Sequence, residues 1–319
     1  MKTIEKKKLK KFSFKEYAKR DSLFIGGHRL CAGCGAAIVA RQVMMAASKY
    51  KVIIANATGC LEVATSIFPY SSWKTPWIHN AFENAAATIS GVEAAYKTML
   101  KNGKISKKDK IKFIVFAGDG GTYDIGLQSL SGAAERGHDF LYVCYNNEAY
   151  MNTGIQRSSA TPYGGATTTS PACKKILGKK QFPKDLTEIM VAHNIPYVAQ
   201  SSVGFPEDLI SKVEKASEIS GPKFLNVLMP CQLGWGFPAD LAPEMGRLAV
   251  ETNFWPLYEV ENGKYKVNYK PQNRKPISDW LKLQKRFSHL SNKDAQSTID
   301  NIQKDIDIRW KNLLNKGKK

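Results

Sequence analysis

No run of about 18 consecutive apolar residues occurs in the 319-residue chain, so no transmembrane helix is expected. Acidic residues are few beside basic ones: 28 Asp and Glu face 47 Lys and Arg, leaving a net charge of +19. Such an excess suits nucleic acid, an acidic protein partner, or simply a solvated lysine-rich surface. Nucleic-acid motifs and helices with clustered arginine are both missing. Much of the lysine lies at the two ends and in residues 101–112, so nucleic-acid binding is not expected. A signal-peptide pattern is also lacking, because residues 1–11 are lysine-rich but no apolar segment or small-residue cleavage site follows. A cytoplasmic location is the expectation. No internal repeat or low-complexity stretch stands out beyond the lysine-rich ends. The length is enough to bury a large core in one or two domains.

What is present centres on residues 113–153. The apolar run Phe113-Ile114-Val115-Phe116-Ala117 breaks at Gly118-Asp119-Gly120-Gly121, and Phe140-Leu141-Tyr142-Val143-Cys144-Tyr145 breaks at Asn146-Asn147. Short apolar, partly β-branched runs ended by Gly or Asn read as buried strands of a parallel sheet. Between them Leu127, Leu130, Ala133 and Ala134 fall at helical spacing over residues 125–136. Such a strand–helix–strand unit binds ligands beyond the carboxyl ends of its strands. There Gly118, Gly120 and Gly121 offer close backbone approach and N–H groups to an anion. Asp119 and Asn147 place hard oxygen donors at neighbouring strand ends, a set suited to Mg²⁺ and diphosphate. A glycine-rich turn without a ligand is the plainer alternative.

The six cysteines are Cys31, Cys34, Cys60, Cys144, Cys173 and Cys231. In a chain expected to be cytoplasmic, metal or redox roles outweigh disulfides. Cys31-Ala32-Gly33-Cys34 has small residues inside its turn, and fits half a zinc site, a redox dithiol or an iron–sulfur ligand pair. Cys60 and Cys231 each follow an apolar strand-like run, on the same sheet edge as Asp119 and Asn147, so four thiols could meet there. Cys144 reads as a small buried hydrophobe within a strand, and Cys173 as a loop residue.

The two signatures together resemble the β subunits of 2-oxoacid:ferredoxin oxidoreductases, the pyruvate type most closely. The matching residues are Gly27-His28-Arg29-Leu30-Cys31-Ala32-Gly33-Cys34-Gly35, Ala57-Thr58-Gly59-Cys60, Gly118-Asp119-Gly120, residues 146–156, residues 158–165, Pro230-Cys231 and Lys275-Pro276-Ile277. The resemblance implies an α/β thiamine diphosphate (ThDP) fold, a mostly parallel sheet flanked by helices with an irregular C-terminal arm. It implies a [4Fe–4S] cluster on Cys31, Cys34, Cys60 and Cys231. It implies Mg²⁺ on Asp119, Asn147 and the Ala149 carbonyl, and ThDP contacts from Gly59, Gly118, Asp119, Gly120, Gly121, Asn147, Ala149, Asn152 and Thr153. Asn152 holds the catalytic position that faces the thiazolium and the bound 2-oxoacid. The reaction implied is reversible oxidative decarboxylation of pyruvate with coenzyme A, electrons leaving to ferredoxin. The active site would be completed by a partner α subunit, with γ- and δ-type subunits in the same complex. Another 2-oxoacid (2-oxoisovalerate, 2-oxoglutarate or oxalate) is the alternative substrate. A cluster-free ThDP enzyme and a zinc Cys₄ structural subunit are the alternative classes.

The implied organisation is a lysine-rich segment over 1–20, a ThDP diphosphate-binding and [4Fe–4S] domain over 21–250, and an arm with an amphipathic helix over 251–319. Helices are expected at 36–48, 80–100, 185–193 and 206–218, with strands at 197–199 and 224–229. Gly91 is expected to permit close packing, and Glu83 to lie in the first turn of the 80–100 helix, on its dipole. His79 is a candidate ligand contact or an ordinary surface residue. Residues 152–169 form a long Gly-, Ser- and Thr-rich loop, either functional or mobile surface. Residues 232–262 look irregular and aromatic, residues 255–259 and 264–269 suggest a hairpin, and Ile299, Ile302, Ile306, Trp310 and Leu313 mark an amphipathic helix.

Overall fold

A computed structural model describes residues 13–106, 110–173, 176–292 and 295–318. Most of the lysine-rich N-terminal segment therefore lies outside the described residues. The strands are β1 (Lys51–Ala57), β2 (Trp77–Asn80), β3 (Ile111–Gly118), β4 (Leu141–Asn146), β5 (Ala172–Cys173), β6 (Ile176–Leu177), β7 (Tyr197–Ser202), β8 (Lys223–Leu228), β9 (Tyr258–Glu261) and β10 (Lys264–Val267). Eight of them form one sheet in the order β10-β9-β7-β8-β4-β3-β1-β2. The strands from β7 to β2 run parallel, and the β9–β10 hairpin closes the β7 edge antiparallel. The small β5–β6 hairpin stands apart.

Helices cover both faces. They are α1 (Phe14–Ala18), α2 (Gly35–Ala47), α3 (Cys60–Thr65), α4 (Ala85–Lys101), α5 (Leu127–Glu135), α6 (Leu186–Ala192), α7 (Pro206–Glu218), α8 (Gln232–Trp235), α9 (Ala242–Glu251), α10 (Ile277–Leu281) and α11 (Gln296–Lys316). Alternation along the strands sorts the core. Leu141, Val143 and Tyr145 of β4 pack with Ile114 and Phe116 of β3 under α2 and α7. Tyr142 and Cys144 turn to the other face, with Val115, Ala117 and residues of α4, α5 and α6. All six residues of β4 are buried, which is why its sequence shows no polar alternation.

Several local expectations change. Asn80 ends an edge strand, Trp77–Asn80, rather than starting a helix, so α4 begins at Ala85 after Asn84, and Glu83 precedes it. A Cβ on Gly91 would meet nothing within 4 Å, so that glycine permits no close approach. Residues 232–262 are more regular than their aromatic pattern suggests: α9 starts with Pro243 in its first turn and buries Met245, Leu248 and Ala249. Its face joins a third apolar cluster, built on Trp235, Trp280, Phe254 and Phe287 and roofed by Ile302 and Ile306 of α11. Trp280 is fully buried, lies 5.6 Å from Trp235 edge to face, and donates its indole N–H to the Met245 carbonyl at 3.1 Å. Trp280→Ala is expected to cost about 3–5 kcal/mol, read as a lowered urea midpoint. No helix among the described residues is long and apolar enough to cross a membrane.

Candidate cofactor and cluster site

Because β1, β3, β4 and β8 are parallel neighbours, their carboxyl ends line one edge. That edge carries, in spatial order, Met229-Pro230-Cys231, Asn146-Asn147, Gly118-Asp119-Gly120 and Thr58-Gly59-Cys60. A groove there is lined by Gly59, Cys60, Asp119, Tyr145, Asn147 and Ala149, with Gly118, Gly120, Gly121, Asn152 and Thr153 around it.

Asp119 is almost fully buried. It accepts hydrogen bonds from the Asn147 backbone N–H at 3.2 Å and the Ser158 hydroxyl at 2.5 Å. Burial nevertheless lifts its carboxyl to about 7, with the Glu148 charge adding to the rise. The Asn147 side-chain amide lies 2.7 Å from the Ala149 carbonyl oxygen and 2.9 Å from Asp119 Oδ1, and with its nitrogen turned toward them it donates to both. Turned the other way, the same amide would set its oxygen beside those two acceptors, an arrangement that a cation between the three would hold. Cis ligands of an octahedral Mg²⁺ with bonds of about 2.1 Å stand about 3 Å apart, so the donor set fits that ion.

Past β3 the chain makes one π-helical turn, Gly120–Ile125, an irregularity frequent at functional sites. The Tyr150 ring lies across Gly120, and its hydroxyl donates to the Gly120 carbonyl at 3.0 Å. A Cβ on Gly120 would come within 2.2 Å of that ring. Gly120→Ala is therefore expected to displace Tyr150, cost about 1–3 kcal/mol and weaken ThDP binding, measured by calorimetric titration. The Tyr145 hydroxyl is buried beside Gly59 with no well-formed hydrogen bond among the described residues, a polar atom that a bound group would satisfy.

The 152–169 loop is pinned rather than mobile. Tyr150 and Gln156 exchange two backbone hydrogen bonds at 2.9 and 3.2 Å, forming a tight turn that leaves Asn152 and Thr153 exposed on the groove's rim. Within it Ile155, a β-branched residue, is held at φ +64°, a strained conformation of the kind that clusters at ligand sites. Further on, Ser158 binds Asp119, and the Thr161 hydroxyl donates to the Glu148 carbonyl at 2.6 Å.

Three of the four candidate cluster cysteines begin helices. Cys34 caps α2, Cys60 opens α3, and Cys231 caps α8 and accepts from the Gly234 N–H at 3.4 Å. Helix N–H groups favour negative sulfur. The Cys31–Cys34 turn closes through a 3.1 Å hydrogen bond from Cys34 N–H to the Cys31 carbonyl. Gly33 sits in it at φ +71°, where a Cβ would strike the Ala239 carbonyl at 2.0 Å, so the turn demands glycine. Burial pushes Cys34 up to about 11 and Cys60 up to about 12, and Cys60 feels Cys34, Cys231, Cys31 and Asp119 in that order. A soft metal centre would take such thiols as thiolates. Among the described residues no three His, Cys, Asp or Glu side chains already meet at metal-ligand spacing. Cys144 lies buried within β4, and Cys173 is exposed in β5.

Phe82 lines the groove and had no sequence signal; Thr58, from the matched Ala57–Cys60 stretch, lines it too, and His79 bonds Thr58 Oγ1 at 2.9 Å without lining the groove itself. A larger cavity, about 410 Å³, lies elsewhere, between the β7 side of the sheet and α11. Of the residues at the two strand ends and the turn after β4 it touches Asn146 and Glu148, away from the glycines and cysteines.

The family profile "Thiamine pyrophosphate enzyme, C-terminal TPP binding domain" matches residues 57–227, from the end of β1 into β8. Fold and groove together thus define a thiamine diphosphate enzyme subunit. Pyruvate synthase subunit PorB of Methanocaldococcus jannaschii is 58% identical over 295 residues, 92% of this chain and 97% of that protein. The PorB of Thermotoga maritima is 53% identical over 302 residues, 94% and 93% of the two chains. The chain belongs to the β-subunit family of the 2-oxoacid:ferredoxin oxidoreductases and is most like the pyruvate synthase branch. Ketoisovalerate oxidoreductase subunit VorB of Pyrococcus furiosus is 46% identical over 292 residues, 91% and 92% of the two chains. A solved 2-oxoglutarate:ferredoxin oxidoreductase from Magnetococcus marinus shares the fold, with a TM-score of 0.54 and 23% identity over 65% of this chain and 66% of that one.

Proposed function

We propose that this chain is the β subunit of a pyruvate:ferredoxin oxidoreductase. With partner subunits it would convert pyruvate and coenzyme A reversibly to acetyl-CoA and CO₂, using Mg²⁺–ThDP and a [4Fe–4S] cluster, with ferredoxin as the outside electron carrier. What supports this reading is that Asp119, Asn147, Cys60 and Cys231 all follow the carboxyl ends of neighbouring parallel strands, with Cys31 and Cys34 in the turn ahead of α2. Gly59 and Cys60 line the groove that also holds Asp119.

When bound, ThDP supplies the carbon nucleophile and electron sink for a 2-oxoacid, and the cluster accepts electrons singly. The chain's own part is positional. Asp119, Asn147 and Ala149 hold the cation, and the glycines after β3 and at position 59 leave room for the diphosphate. Asn152 and Thr153 stand exposed at the rim, where an α subunit would complete the site. The PorB relatives support pyruvate, and the VorB relative keeps 2-oxoisovalerate as the competing substrate.

The test uses complex purified anaerobically with its natural partners. Low-temperature EPR is recorded before and after adding pyruvate and coenzyme A. A reduced [4Fe–4S] signal that needs pyruvate is the expected result. Clusters that reduce with dithionite but ignore pyruvate would move the substrate to another 2-oxoacid. Stoichiometric zinc without iron would overturn the oxidoreductase reading.

A further inference from the structure

The turn that carries two of the three Mg²⁺ candidates has an unusual residue in its middle. Glu148, between Asn147 and Ala149, is held at φ +65°, in the left-handed region that non-glycine residues rarely occupy. Its carboxylate is also buried, at 1% exposure. Nothing in the residue type favours either state, so other groups must hold it there.

Those groups come from the far end of the chain. Arg286 donates through Nη2 to Glu148 Oε2 at 2.6 Å, 138 residues away in sequence, and through Nε to Gln284 Oε1 at 2.8 Å. Its guanidinium lies 4.0 Å above the Trp235 ring. Trp235 in turn donates its indole N–H to the Asn147 carbonyl at 2.8 Å. The Glu148 N–H donates to Asn146 Oδ1 at 2.9 Å, and its carbonyl accepts from Thr161. The Asn147 carbonyl is thus tied to the Glu148–Arg286–Trp235 stack directly, while Asn146 and Thr161 hold the Glu148 backbone on either side.

We propose that Arg286 is a positioning residue for the cation: its buried pair with Glu148, stacked on Trp235, fixes the Asn147–Ala149 turn so that the Asn147 and Ala149 oxygens converge with Asp119. A buried ion pair is a weak source of stability, since an apolar pair of similar volume often does as well. Arg286, however, donates to Glu148 and Gln284 from two fixed points of one plane that also stacks on Trp235, and so fixes geometry in a way that lysine cannot reproduce. The C-terminal segment therefore reaches the cofactor site through one side chain. This inference rests on the Mg²⁺–ThDP reading of the groove.

The test is calorimetric titration of Mg²⁺ into cofactor-stripped, fully assembled complex at saturating ThDP, with the thermal midpoint of the stripped complex measured alongside. Arg286→Lys is expected to weaken Mg²⁺ about 10- to 100-fold, the usual range for groups that orient metal ligands. The paired apolar variant Glu148→Leu with Arg286→Met is expected to keep the wild-type midpoint yet show the same loss of Mg²⁺ affinity. Wild-type Mg²⁺ affinity in either variant would overturn the clamp. So would an affinity loss in Arg286→Lys that the apolar pair restores together with the midpoint, which marks a purely structural role. A wild-type complex that binds no Mg²⁺ and ThDP would overturn the cofactor reading itself, and this one with it.

Discussion

Asp119→Ala is expected to abolish Mg²⁺-dependent ThDP binding, raising the dissociation constant by more than about 100-fold, because loss of groups one layer further out already costs 10- to 100-fold. Asp119 contributes the one charged oxygen of the corner it shares with Asn147 and Ala149. A buried carboxylate without a cation is costly, which is why burial lifts its pKa to about 7. Removing it deletes a buried charge, so the stripped protein should not lose much stability. The residual cost comes from the Ser158 hydroxyl and Asn147 N–H, which lose their acceptor. The signature is therefore a collapse of cofactor affinity beside a thermal midpoint close to wild type. Tight binding retained in the variant would show that the Gly-Asp-Gly turn has another purpose.

Cys60→Ala should separate the two halves of the site. Cys60 opens α3 just past β1, and among the thiols it senses the other three candidate ligands together with Asp119. Without it a cluster held by these four cysteines would lose one thiolate, and ferredoxin reduction in the assembled complex should fall at least about 100-fold, by the same comparison with outer groups. Iron per β subunit should fall with it. The side chain only borders the ThDP groove, so ThDP affinity should stay within a few-fold of wild type. Full ferredoxin reduction by the variant would refute the ligand set. Loss of ThDP binding alone would mean that Cys60 belongs to the groove rather than to a cluster.

Both variants were chosen from residues legible in the sequence, and the reason is local. Asp119 and Asn147 each end a run of apolar residues, and a parallel sheet places all its strand ends on one edge. Once β1, β3, β4 and β8 are read as parallel neighbours, Cys60 and Cys231 arrive on that edge with them. Short-range features were harder. The edge strand β2 hides in a four-residue stretch, Trp77–Asn80, and the irregular look of residues 232–262 conceals α9 because aromatic residues from several elements share one cluster.

By itself the sequence determined the α/β class, the strand runs and the chemical types placed at their ends, since alternation, glycine breaks and cysteine spacing are properties of neighbours in the chain. Only the tertiary structure decided which distant residues serve those ends. Ser158 on Asp119, the Tyr145 hydroxyl beside Gly59, Tyr150 across Gly120, and Arg286 on Glu148 are all contacts made by folding, and no period or motif encodes them. The physical reason is that a strand end fixes where a donor sits, whereas its orientation depends on buried partners brought in from tens to more than a hundred residues away.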